Sequence, residues 1–103
     1  MSDLVGVVYN TCYGGFRLSS EAEARYAELK GISIFNLWDD EIPRHDPHLV
    51  QVVQELNNKA AGNYSSLKIE WIPRGSKYYI KDYDGSETVL TPDTIKWEIA
   101  DVT

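Results

Sequence analysis

The chain has 103 residues, 43% of them hydrophobic and 25% charged, a globular balance that argues against disorder and leaves room for one domain over residues 1–103. Area scaling has such a chain burying about two-thirds of its unfolded surface, enough for one core but not for a large internal ligand cavity. A formal net charge of −6 disfavours a protein that coats long nucleic acid, so any anionic ligand must be held locally. No apolar run nears the ~20 residues of a membrane span, Met1-Ser2-Asp3 lacks the features of a secretory leader, and the single Cys12 has no internal disulfide partner; a soluble, intracellular protein is expected.

Leu4-Val5-Gly6-Val7-Val8-Tyr9 is a short apolar run, read as a strand buried on both faces. It ends in Asn10-Thr11-Cys12-Tyr13-Gly14-Gly15-Phe16, a turn with paired glycines. Ser20 and Glu23 have the capping-box spacing, which predicts a helix from Ser20, with Ala22, Tyr26 and Leu29 on its buried face and Gly31 as its stop. Ile32–Trp38 reads as either a short strand or a packed connector, and Asp39-Asp40-Glu41 as a solvated loop. Asp46-Pro47 opens a second helix, with Asp as cap, Pro in the first turn and a stripe of Leu49, Val50, Val52, Val53 and Leu56. The remainder is β: Leu67, Ile69 and Trp71 alternate with polar residues, Tyr78–Tyr83 and Ser86–Leu90 flank the hairpin turn Asp84-Gly85, and Ile95–Ile99 alternates again. The expected fold class is α+β: a mixed sheet of four to five strands, two helices and a C-terminal β-hairpin.

The Asn10–Phe16 turn carries the most chemistry. A strand feeding a Gly-rich turn and then a helix N-terminus gathers unpaired N–H groups, which favour a phosphate or carboxylate. Gly14 and Gly15 place no Cβ in the way of an anion, and Arg17 adds a full charge. Cys12 is a candidate nucleophile with His45 as its base. The phosphatase loop does not fit, because it needs Arg where this chain has Leu18. His45, Asp46 and His48 are conceivable metal ligands, but Asp46 is better used as the helix cap, so no metal site is expected. Arg44 beside that helix start makes a second anion-attracting point. Tyr79, Lys81 and Tyr83 form an aromatic–basic–aromatic row suited to cross-strand packing, a subunit interface or base stacking. Trp38, Trp71 and Trp97 read as core or interface anchors.

Three blocks in order, Val8–Phe16, Ile42-Pro43-Arg44-His45-Asp46-Pro47, and Leu67–Pro73 with Tyr83-Asp84-Gly85 and Val89, resemble a family of short proteins common in tailed phages. Arg17 departs from the small residue expected after Phe16, which bears on ligand choice. The family resembles the anti-CBASS proteins of the fourth type, sponges that bind cyclic nucleotide signals of bacterial antiviral immunity without cleaving them. The resemblance implies a viral immune-evasion protein, a homotetramer acting in the cytoplasm of the infected bacterial host, with sites completed by the assembled subunits.

Taken with the residues, this makes a non-enzymatic binder of cyclic dinucleotides or related nucleotide signals the leading expectation, with no cofactor. Gly14, Gly15 and Arg17 would hold phosphate, assisted by Arg44. Tyr13, Phe16 or Tyr83 would stack on bases, and Asn10, Thr11 or His45 would bond base edges. The alternatives are a small Cys12-dependent hydrolase of a nucleotide signal and a protein–protein interaction module.

Overall fold

The computed structural model describes residues 3–92, 98 and 100; apart from residue 98, the strand expected over Ile95–Ile99 falls outside them. The chain forms an α+β fold with strand β1 (Leu4–Asn10), helices α1 (Ser20–Lys30) and α2 (Pro47–Leu56), and strands β2 (Leu67–Pro73), β3 (Tyr79–Tyr83) and β4 (Ser86–Leu90). Short 3-10 turns cover Ile34–Asn36, Asp39–Glu41 and Asn57–Ala60. The connector after α1 is therefore a turn, not a strand.

The strands form two antiparallel pairs, β1 with β2 and β3 with β4, in place of one mixed sheet. The reason lies on the second edge of β1. There the Val8 N–H donates to the Arg44 carbonyl at 2.8 Å, and the Asn10 N–H donates to the Glu87 carboxylate at 2.9 Å. A loop carbonyl and a side chain thus take the positions that a neighbouring strand's backbone would need.

β1 is buried on both faces, as its composition predicts. Val8 joins the core that α1 and α2 build from Ala22, Tyr26, Leu49, Val50, Val52 and Val53. Val7 points the other way, to Ile72 and Val89, so the hairpin closes over the face opposite the helices. In the hairpin, Ile80 lies opposite Val89 and Lys81 opposite Thr88, as the two-residue turn requires.

The helix caps show where local pattern yields to tertiary structure. α1 is capped by Ser19 instead of Ser20: its hydroxyl accepts from the Ala22 N–H at 3.1 Å. Ser19 is fixed there because its N–H donates to the Ala60 carbonyl and its hydroxyl to the Lys59 carbonyl. Gly31 ends α1 as expected. α2 starts as predicted, with Asp46 accepting from the His48 N–H at 2.8 Å and Pro47 in the first turn. Asp46 also ties the helices together, accepting from Tyr26 Oη at 2.7 Å and Lys30 Nζ at 2.9 Å. Burial alone would raise its pKa, but the bonds from Lys30, Tyr26 and His48 win and hold it below the usual carboxylate range.

Candidate functional site

The Asn10–Phe16 loop is held from behind by one residue. Asn10 is fully buried; its Nδ2 donates to the carbonyls of Cys12 at 2.6 Å and Gly85 at 2.7 Å, and its Oδ1 accepts from the N–H groups of Ser66 at 2.8 Å and Cys12 at 3.2 Å. This use of all its hydrogen-bonding groups makes Asn10 a scaffold for the loop, not a group for reading base edges. Thr11 is similarly engaged, with its N–H and hydroxyl both directed at the Ser66 carbonyl.

The hairpin tip and the 62–66 turn press on the loop from two sides. Gly85, with φ +91, abuts the Tyr13 carbonyl and the Gly15 nitrogen so closely that a Cβ would collide with both. Gly14 likewise has no room for a Cβ because the Tyr64 backbone occupies that space. The glycine pair is thus divided: Gly14 serves close packing with its own chain, whereas Gly15, also at φ +91, has open space where a Cβ would stand. Ser65 Oγ secures the Gly15 carbonyl at 2.6 Å.

With the loop fixed this way, the Gly15 N–H makes only a long 3.5 Å contact to the Cys12 carbonyl. The N–H groups of Gly14, Phe16 and Arg17 find no acceptor among the described residues. Gly14, Gly15, Phe16 and Arg17 line one wall of a cleft of about 560 Å³, and Glu23, Leu37, Trp38 and Asp39 line the other. That is a size typical of small-ligand sites, at roughly 300–1,000 Å³. Arg17 is exposed and without an ion-pair partner among the described residues, and Trp38 is 63% exposed.

The acidic wall is a feature the residue pattern did not reveal. Asp39 is not merely solvated: one carboxylate oxygen accepts from the Leu18 N–H at 3.0 Å, and the other is buried without a partner. Glu23 contacts it. Burial first, then its approach to the Asp39 carboxyl and the repulsion from that charge, push the Glu23 carboxyl up to about 7. The capping-box spacing gives Glu23 to the helix cap, but with Ser19 as the cap Glu23 faces Asp39 instead.

Arg44 departs from its expected role. Its guanidinium makes a bidentate pair with Glu87, Nη1 to Oε1 at 2.6 Å and Nη2 to Oε2 at 2.9 Å, and lies 3.7 Å from the centre of the Phe16 ring. A buried Glu87 and an aromatic face thus saturate it, so it positions Phe16 and leaves the anion to Arg17. His45 also lies elsewhere. Its Nδ1 meets Tyr78 Oη at 2.6 Å, and it lines separate depressions with Val5, Gly6, Trp71 and Arg74. Cys12 follows the opposite end of β1, so these two residues do not form a dyad.

Tyr13 and Tyr83 remain exposed, at 69% and 70%, on the loop and beside the hairpin tip that abuts it. The first turn of α1 reaches the cleft through Glu23, and Ser19 caps the helix behind it. No group of three or more His, Cys, Asp or Glu able to hold a metal occurs among the described residues, and no helix there is long and apolar enough to cross a membrane. No protein-family model, curated protein or solved structure significantly matches the chain.

Proposed function

We propose that this protein is a nucleotide sponge of phage immune evasion. It binds cyclic dinucleotides or related second messengers of bacterial antiviral defence and sequesters them without cleavage. The observation that carries the reading is the set of acceptor-free N–H groups at Gly14, Phe16 and Arg17 beside the unpaired Arg17 guanidinium. Neighbouring donors held by the surrounding fold suit a phosphate in an otherwise acidic molecule, because its desolvation is costly unless several bonds replace water. Phe16 and Trp38 lie on the two walls of the same cleft, suited to stacking on a base, with Tyr13 and Tyr83 as an outer rim.

Assembly belongs to the same reading. A cleft on so small a domain encloses only part of a dinucleotide, and a second subunit of a homotetramer would cover the rest. Ile32, Ile34, Phe35 and Trp38 are all exposed, Phe35 at 89%, and this segment, with Ser33 and Asn36 between the apolar residues, runs into the cleft wall at Leu37 and Trp38. An exposed apolar segment of this kind suits a subunit contact.

The test is native mass measurement with a panel of cyclic dinucleotides, followed by denaturation and identification of what is released. Tight retention in the nanomolar range with intact ligand is expected. Loss of the charge-assisted bonds in Arg17→Ala should weaken binding by about 10- to 100-fold, from roughly 1.5–3 kcal/mol. Titrations that are flat for every nucleotide, or release of a linearised product, would refute the sponge; the second result would favour the Cys12 hydrolase.

A further inference from the structure

The unpartnered Asp39 oxygen and the Glu23 carboxyl facing Asp39 raise a question of charge. Two carboxylates in contact are two acceptors with no donor between them, a repulsive arrangement unless one holds a proton. Asp39 uses one oxygen on the Leu18 N–H and buries the other without a partner. A proton on Glu23 gives that carboxylate the missing donor.

Other charges do not relieve the pair. On the loop wall the cation is Arg17. Of the groups on elements packed against α1, Glu55 is taken by Arg25 and Asp46 by Lys30. Lys59 and Glu41 are exposed on their turns.

We propose that Glu23 and Asp39 share one proton, and that this proton sets the charge of the Gly14–Asp39 cleft, so that capture of an anion there takes up a proton. The inference rests on the proposed anion site and adds its regulation. With the proton in place the acidic wall carries one negative charge, which Arg17 and the loop N–H groups outweigh locally. Without it the wall carries two and opposes a phosphate. Placement of the Glu23 carboxyl at about 7 brings the change near neutrality. Affinity is then highest in mild acid and falls as pH rises. One extra unit charge beside a phosphate in part-solvated surroundings weakens binding on the order of tenfold.

Two measurements on the intact chain test this. The first follows the side-chain carboxyl carbons of the ligand-free protein by NMR from pH 3 to pH 9. The pair should titrate in two macroscopic steps, one of them near neutral pH. Glu23→Gln should abolish the neutral step; if that variant does not fold, Asp39→Asn should return Glu23 to the ordinary carboxylate range. Completion of both steps in the ordinary acid range overturns the shared proton.

The second measurement titrates cyclic GMP–AMP calorimetrically at pH 6.0 and 8.5, in two buffers of different ionisation heat. About tenfold weaker binding at the higher pH, with proton uptake, is expected, and Glu23→Gln should bind equally at both. Equal affinity of the parent at both pH values overturns the coupling. If this nucleotide and the rest of the panel bind at neither pH, the sponge reading falls, and the carboxyl titration alone decides the shared proton.

Discussion

Replacement of Arg44 separates a structural role from a ligand-binding one. The guanidinium is the only ion-pair partner of Glu87 among the described residues, and both are largely enclosed, with side-chain exposures of 19% and 6%. Arg44→Ala leaves a buried carboxylate supported by one remaining bond, from the Asn10 N–H. Breaking a buried pair from one side costs about 3–5 kcal/mol. With about 4–8 °C lost per kcal/mol in a domain near this size, the midpoint of thermal unfolding should drop by more than 12 °C. The double variant Arg44→Met/Glu87→Gln removes both charges while keeping an acceptor for Asn10, and should recover about 1–2 kcal/mol of that loss. Urea unfolding of parent, single and double variants at low and high salt reads the effect, which should persist in salt because the pair is shielded from solvent. A cost below about 1 kcal/mol for Arg44→Ala, or a double variant no more stable than the single, would refute the argument from an uncompensated buried charge.

Asn10→Ala strips four hydrogen bonds from the loop and should cost about 2–4 kcal/mol, with faster hydrogen exchange at the Ser66 and Cys12 amides; a loss within 0.5 kcal/mol would contradict the scaffold role. Asp46, with its pKa lowered in the fold, contributes stability that is complete above the unfolded value of about 4 and lost as pH falls through the lower folded value. Asp46→Asn should therefore lower stability at pH 7 and flatten the acid limb of a stability–pH curve. Glu23 has the opposite sign: raised from 4.5 to about 7, it adds stability that is complete below its unfolded value and gone above the folded one. With its partial exposure screening the effect, that limb should amount to about 1–2 kcal/mol and be absent from Glu23→Gln.

What could be read from the chain divides along physical lines. β1, the α2 start at Asp46-Pro47, the Gly31 stop and the Asp84-Gly85 hairpin depend on local chemistry, and the structure has them where the pattern places them. The α1 cap and the sheet arrangement depend on contacts distant in sequence, Ser19 with Lys59 and Ala60, and β1 with Arg44 and Glu87. Those contacts displaced the local preference. For the site, the Gly14–Arg17 wall was legible because a turn's composition advertises its backbone. Its partner wall was not, since Glu23 and Asp39 lie 16 positions apart and each had a sufficient local explanation. Glu87 did leave a signal. It shares the strand face of Val89, and a carboxylate on an inward face needs a cation; Arg44 was the residue it required.

The same contacts explain why the loop can keep N–H groups unpaired. Left to itself, a Gly-rich turn relaxes to pair its own amides or to admit water. Here Asn10 joins Cys12, Ser66 and Gly85, the Tyr64 backbone fills the space above Gly14, and Arg44, paired to Glu87, lies over the Phe16 ring. Each tie comes from a different part of the chain, so no single strand or helix sets the loop's shape. The ordering entropy of the loop is met during folding, so a ligand taken up as proposed would not meet it again. The corollary is that changes remote from the cleft, at Glu87 or Gly85, should weaken nucleotide binding through the loop even though neither residue lines the cleft.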